Sequence, residues 1–187
     1  SETMDIQDLS NEQIKKAAQG DVAAEEALYM AAHGFVYHVA LGMIGNVDDA
    51  YEVSQETFIK IFENLDQFKF QSSLKTWIYR ITVNTALNAR KKQRSLNHRR
   101  VAFDESVESL PDNAVERHSV EAGMSESVHI LLNSLSPDQR ACVVLRDMEG
   151  LRYDEIAKVL HININTVRSR LKRARENLLR KGENYAV

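Results

Sequence analysis

The chain has 187 residues, 43% of them hydrophobic and 27% charged, with a net charge of −3; that is enough for one medium domain or two small ones, and so small a net charge points to no class of partner. Two prolines and seven glycines argue against a loop-rich all-β fold, and the abundance of Ala, Leu, Glu, Lys and Arg favours helix. The lone Cys142 excludes an internal disulfide and fits a reducing, cytoplasmic setting; the absence of an apolar run of about 18 residues argues against membrane insertion, and the polar start Ser1-Glu2-Thr3-Met4 is unlike a signal peptide.

The first segment, about Asp8 to Met43, carries Leu9, Ile14, Ala17 and Ala18, then a Gly20-Asp21 break. Apolar residues Ala24, Leu28, Val36, Val39 and Met43 follow at three- and four-residue steps. This predicts a short helix and a longer one, ended by Gly42, Gly45 and Asn46. The second segment, about Val47 to Phe68, places Ala50, Tyr51, Phe58, Ile61, Phe62 and Leu65 in an apolar stripe. Beside it lies an acidic face of Asp48, Asp49, Glu52, Glu56 and Glu63. The third, about Ser73 to Arg94, opens on Ser72 or Ser73 as N-cap. Leu74, Trp77, Ile78 and Ile81 face one way, and Arg80, Asn84, Asn88 and Lys91 another. It ends in the basic run Arg90-Lys91-Lys92-Gln93-Arg94.

From Asp104 to Glu126 seven acidic residues stand against one base, Arg117, with Pro111 inside and weak apolar periodicity. This reads as a flexible acidic linker over about 95–126. The chain then divides into an N-terminal domain, 5–94, and a C-terminal domain, 127–187. In the latter, Ser136-Pro137 starts a helix that ends at Gly150. Tyr153 to Leu160, a turn at His161 to Asn163, and a helix from about Asn165 to Lys181 follow. No strand pattern is present, so the expected fold is all-α, two small helical domains.

The C-terminal pair has helix-turn-helix spacing. Ala157 is small where the second helix crosses, and Ile156, Leu160, Ile162, Val167 and Leu171 supply a shared core. The outer face offers Thr166, Arg168, Ser169, Lys172, Arg173 and Arg175, donors suited to phosphate oxygens and the guanine edge. An ordinary hairpin with a solvated basic face would lack this coincidence of small residue, core spacing and one-sided basicity. In the third segment, aromatic Trp77 stands with Tyr79, Arg80, Asn84, Asn88 and a basic tail, a set able to stack on unpaired bases and hold a strand. The preceding loop, Phe68 to Ser73, can shape a pocket for an extruded base. Trp77 alone reads more simply as core, as do Phe58 and Phe62. A run of carboxylates like that of the second segment is commonly just a solvated face.

Three stretches resemble one family. Asp48-Asp49-Ala50-Tyr51-Glu52-Val53-Ser54-Gln55-Glu56-Thr57-Phe58-Ile59-Lys60-Ile61-Phe62 resembles the core-polymerase-binding stretch of the extracytoplasmic-function (ECF) sigma factors. Ser73-Leu74-Lys75-Thr76-Trp77-Ile78-Tyr79-Arg80-Ile81-Thr82-Val83-Asn84 is similar to their promoter-melting helix. Leu135-Ser136-Pro137, Gly150 to Ala157, and Thr166-Val167-Arg168-Ser169-Arg170 resemble their C-terminal DNA-reading domain.

The resemblance implies that Asp48, Asp49, Glu52, Gln55, Glu56, Phe58, Ile59 and Phe62 dock on core RNA polymerase. It implies that Phe70, Ser72, Ser73, Lys75, Trp77, Arg80, Asn84, Asn88, Lys91 and Lys92 serve the minus-ten element. It gives Thr166, Arg168, Ser169, Lys172, Arg173 and Arg175 to the minus-thirty-five duplex. The linker would thread toward the RNA channel, and an anti-sigma factor would hold the protein inactive. The family often has glycine where His161 and Asn165 stand and proline at Asn163. His161 must then adopt the backbone of a tight turn, and Asn165 can cap the second helix.

A transcription regulator with the same DNA reader but no polymerase docking is the alternative; its usual receiver domain would need alternating strands and helices. An enzyme is disfavoured. There is no phosphate loop, metal-spaced His/Cys set or nucleophile motif, so no cofactor or metal is expected.

Overall fold

The computed structural model describes residues 4–103 and 124–185. The expected acidic linker falls largely on residues outside that range. Every element of any length is helical: α1 Asn11–Ala18, α2 Val22–Ile44, α3 Val47–Asn64, α4 Leu74–Phe103, α5 Glu126–Asn133, α6 Pro137–Val143, α7 Tyr153–Leu160 and α8 Ile164–Tyr185. Single 3-10 turns, Ile6–Asp8 and Leu65–Gln67, precede α1 and follow α3, and a π turn, Val144–Met148, extends α6. No strand occurs among the described residues.

Polar caps set the helix starts, each side-chain oxygen taking an amide that the helix leaves unbonded. Ser10 accepts from Gln13, Asp21 from Ala24, Asn46 from Asp49, and Ser136 from Gln139, with Pro137 in the first turn. Ser73, rather than Ser72, caps α4 by accepting from the Thr76 amide at 3.1 Å.

Two corrections concern helix ends. Gly42 does not end α2; the helix runs to Ile44 and stops at Gly45 (φ 82°), whose amide donates to Leu41. And α4 does not stop near Arg94; it continues to Phe103. Its residues 91–102 are all exposed, so this extension is held by helix propensity and not by burial.

By length and composition α2 is apolar enough to cross a membrane, with a mean hydropathy of 1.4 over its best window, a test that the core helix of a globular domain also passes. In this fold it is instead the central helix of the N-terminal domain. Leu28, Ala32, Val36, Val39, Ala40 and Met43 are buried where α2 packs on α1, α3 and α4. One apolar cluster lies wholly inside this domain, around Leu28, Val36, Phe58, Ile61 and Ile78. The second crosses between the domains. It joins Val39, Met43, Tyr79 and Val83 to Leu132, Leu135, Val144, Leu145, Ile156 and Leu171. The C-terminal domain therefore rests on the end of α2 and the first half of α4.

Candidate functional site

Three surfaces carry the residues singled out by sequence. The first is a groove between α3 and α4. Asp49, Glu52 and Glu56 form its acidic wall, Ile44, Val53, Ala89 and Leu96 its apolar lining, and Lys92 its far rim. Asp48, Glu52, Glu56 and Ile59 are exposed, Asp49 and Gln55 half-buried. Glu56 pairs with Lys60 one turn on at 2.9 Å. Phe58 is the exception: it is 4% exposed and packs on Tyr29 at 4.6 Å between ring centroids. It seats α3 on α2 and cannot reach a partner. Phe62 is half-buried beside it.

The second surface is the loop before α4 together with the helix itself. Phe68 is buried and stands between Phe70 and Trp77, with ring centroids at 4.7 and 5.4 Å. Trp77 is thus half core and half surface. Phe70 has φ 56°, a left-handed backbone costly for an aromatic residue. The residue is 39% exposed, with the Lys15 ammonium 5.8 Å from the ring centroid. Asn84, Asn88, Lys91 and Lys92 are exposed along α4. The extension past Arg94 adds His98, Arg99 and Arg100 to the basic tail. Sequence reading gave those three to the linker, although the charge run was visible.

Lys75 and Arg80 do not face open solvent with the others. Lys75 lies over the rings of Phe35 and Tyr79, 5.2 and 5.9 Å from their centroids. Arg80 donates to the Lys158 carbonyl at 2.8 Å, at the end of α7. Tyr79 donates its hydroxyl to Glu149 at 2.9 Å. Burial, then the nearby carboxylate, pushes the Tyr79 phenol well above its usual value. Ser73, Lys75, Thr76 and Tyr79 line one wall of a cleft whose other wall is Glu149, Gly150, Leu151 and Glu155.

The third surface is α8. Val167, Leu171 and Ala174 are buried, and Arg168, Ser169, Lys172, Arg173 and Arg175 are exposed opposite them. The turn before it holds His161 at φ 52°, as the sequence required. The cap differs from expectation: Asn163, not Asn165, accepts the Asn165 amide at 2.8 Å. Asn165 is left free to hold Arg168, accepting from its Nη1 at 2.8 Å. Arg175 sits further along, donating to the Tyr153 hydroxyl at 3.3 Å and 3.9 Å from Asp147. Arg170 turns inward toward Asp138. Cys142 is fully buried, and burial raises its thiol to about 11, so it is a core residue.

Comparison with known proteins fits these surfaces to one family. The sigma-70 region 2 family matches residues 28–96, and the sigma-70 region 4 family matches residues 125–178. The RNA polymerase sigma-H factor of Pseudomonas aeruginosa is 31% identical over 181 residues, 91% of this chain and 92% of that protein. The ECF RNA polymerase sigma-E factor of Escherichia coli is 35% identical over 145 residues, 68% of this chain and 71% of that protein.

The chain is an ECF sigma factor.

It directs RNA polymerase to promoters, as the family does. The first two surfaces lie within or beside the region 2 match and the third within the region 4 match. Among solved structures, CnrH in complex with the cytosolic domain of CnrY shares the fold, with a TM-score of 0.68 at 21% identity, covering 92% of this chain and 96% of that one. The sigma factor RpoE in complex with the anti-sigma factor NepR, from Bartonella quintana, aligns with a TM-score of 0.63 at 27% identity. That alignment covers 82% of this sigma factor and 92% of RpoE.

Proposed function

We propose that the sigma factor divides its work among the three surfaces. The acidic groove of α3 and α4 docks core RNA polymerase through Asp48, Asp49, Glu52, Gln55, Glu56 and Ile59. The loop residues Phe70, Ser72 and Ser73, with Trp77, Arg80, Asn84, Asn88, Lys91 and Lys92 on α4, capture the opened strand of the minus-ten element by stacking and backbone contact. Helix α8 enters the major groove of the minus-thirty-five element, with Thr166, Arg168 and Ser169 at base edges and Arg173 and Arg175 on phosphates. Two domains, 5–94 and 127–187, joined by the acidic stretch between, span the two promoter elements. The protein acts in the cytoplasm and binds rather than catalyses. An anti-sigma factor controls it, a reading supported by the RpoE–NepR complex.

The observation that carries this reading is the one-sided α8: five exposed donors, Arg168, Ser169, Lys172, Arg173 and Arg175, over a buried Val167–Leu171–Ala174 seam behind a tight turn. Run-off transcription with purified core polymerase and a pool of promoters tests it. The sigma reading expects specific transcripts that appear only when this protein is added. A regulator without a polymerase-docking role produces none.

A further inference from the structure

The loop before α4 has a neighbour outside it. Helix α1 starts under the reciprocal cap of Ser10 and Gln13 and buries Ile14 and Ala17 in the same apolar cluster as Leu65, Phe68 and Leu74. That packing fixes where the next side chain goes. The Lys15 ammonium lies 5.8 Å from the centroid of the Phe70 ring.

Two lysines stand side by side on α1, and only one is tied within the helix. Lys16 pairs with Glu12 one turn back at 3.4 Å. Among the described residues no carboxylate pairs with Lys15. A cation is drawn to the negative face of an aromatic ring, weakly where the pair is exposed. Holding a long lysine stem in one place also costs rotamer entropy. Lys15 is therefore held on Phe70 only lightly and can leave it for a stronger anion.

Phe70 is itself set up for contact rather than for packing. Its left-handed backbone, φ 56°, is one that an aromatic residue adopts at a cost. Burial offsets that cost only in part, since the residue touches Phe68 at 4.7 Å between ring centroids but stays 39% exposed. A base stacked on a ring stands about 3.5–4 Å from it, nearer than the ammonium does. A base arriving on the covered face therefore displaces Lys15 and brings a phosphate with it. Stacking gives up one cation–ring contact and supplies one ion pair in its place.

We propose that Lys15, on a helix outside the three surfaces, is a further promoter-contact residue: it covers the Phe70 ring in the free protein and moves to a phosphate of the single-stranded nucleotide that stacks there. The proposal rests on the strand-capture role given to the Phe70 loop above.

Holoenzyme reconstituted with the full chain tests it. The probe is a labelled promoter fragment, duplex through the minus-thirty-five element and single-stranded across the minus-ten element. The control is the same duplex without the single strand. Fluorescence anisotropy reads binding at several salt concentrations. Lys15→Gln removes the charge from an exposed position, Lys15→Arg keeps it, and Phe70→Gly removes the ring while suiting the positive φ.

Lys15→Gln should weaken binding of the single-stranded probe about two- to fivefold. It should lower the salt slope by about 0.7, the value for one phosphate of a single strand, and leave the duplex control unchanged. Lys15→Arg should keep the wild-type slope. A neutral methylphosphonate walked along the single strand should find one position that costs the wild type affinity and costs Lys15→Gln none. Unchanged affinity and slope in Lys15→Gln overturn the proposal. So does weaker binding with the wild-type slope, which would make Lys15 a support of the loop, and so does an equal loss on the duplex control. Phe70→Gly separates the two readings. If it loses binding of the single-stranded probe while Lys15→Gln does not, the loop keeps its role and Lys15 does not. If it binds as the wild type does, the loop reading fails and the proposal with it.

Discussion

Arg168→Ala separates base reading from phosphate holding on α8. Arg168 lies in the first turns of the helix, where helix-turn-helix readers meet base edges, and its guanidinium is exposed. A bidentate arginine–guanine contact carries about 1–3 kcal/mol of discrimination. In the free protein the guanidinium is held by Asn165 at 2.8 Å, and a hydrogen bond of this kind contributes about 0.5–1.5 kcal/mol. If docking gives up that bond, the net discrimination falls to about 0.5–1.5 kcal/mol, or roughly 2- to 13-fold between best and mismatched elements. Arg168→Ala should erase that ratio. Asn165→Ala, which keeps the guanidinium but removes the bond that docking gives up, should raise it.

Arg175 lies about two turns on, anchored to Tyr153 and near Asp147. Arg175→Ala should weaken every sequence alike and lower the salt slope by about one unit. The assay is competition binding of the reconstituted holoenzyme to promoter fragments that vary only in the minus-thirty-five element, at several salt concentrations. A ranking preserved by Arg168→Ala, or reshuffled by Arg175→Ala, refutes this register for α8.

The paired change Asp49→Lys with Glu52→Lys should weaken core polymerase binding in a pull-down titration while thermal unfolding of the free chain stays put, since single exposed charges contribute little. Asn84→Ala should reduce permanganate reactivity of the minus-ten strand at equal promoter occupancy; equal reactivity removes Asn84 from strand capture. Burial holds the Glu149 carboxyl above its ordinary value of 4.5, against the Tyr79 hydrogen bond and the nearby His38 and Lys75. A carboxyl with a raised value in the folded chain adds stability below about 4.5 and loses it as pH rises through the shifted value. Mild acid should therefore raise the thermal unfolding midpoint of the wild-type chain relative to that of Glu149→Gln, whose pH response should be flatter. Ile156 is fully buried at the crossing of α7 and α8, so Ile156→Ala should cost about 2–5 kcal/mol in chemical denaturation.

Period and caps made the helices legible, because both are local. The alternation of Val167, Leu171 and Ala174 with exposed arginines needs only α8 itself. The turn at His161 was legible for the same reason: a helix ends and another begins within three residues, and the backbone between them has few options. Whether Asn163 or Asn165 caps α8 was not, since each can accept a nearby amide and only the turn's dihedral angles decide. Gly42 was read as a helix end because glycine commonly is one. Its actual neighbours, Val144 and Met148, lie about a hundred residues away, and no pattern within α2 announces them. Arg140 is the sharper case. In an eight-residue window it is a charged residue on an amphipathic helix, expected in water. Only the docked α2 end, with carbonyls lacking amide partners, explains its burial. The continuation of α4 to Phe103 was hidden by composition, because an exposed helix has no apolar stripe to mark its length.

Arg90 of α4 and Arg140 of α6, which donate to the Met43 and Gly42 carbonyls at the end of α2, impose an order on synthesis. Arg90 leaves the ribosome with the N-terminal domain and can satisfy the Met43 carbonyl at once, whereas the Gly42 carbonyl waits for Arg140. At roughly 5–20 residues per second the fifty residues between them take on the order of 3–10 s. During that interval the nascent N-terminal domain presents an uncovered apolar shelf and a helix end with an unmet carbonyl. The newborn chain therefore passes through a form whose N-terminal domain stands alone before its own C-terminal half can cover that shelf.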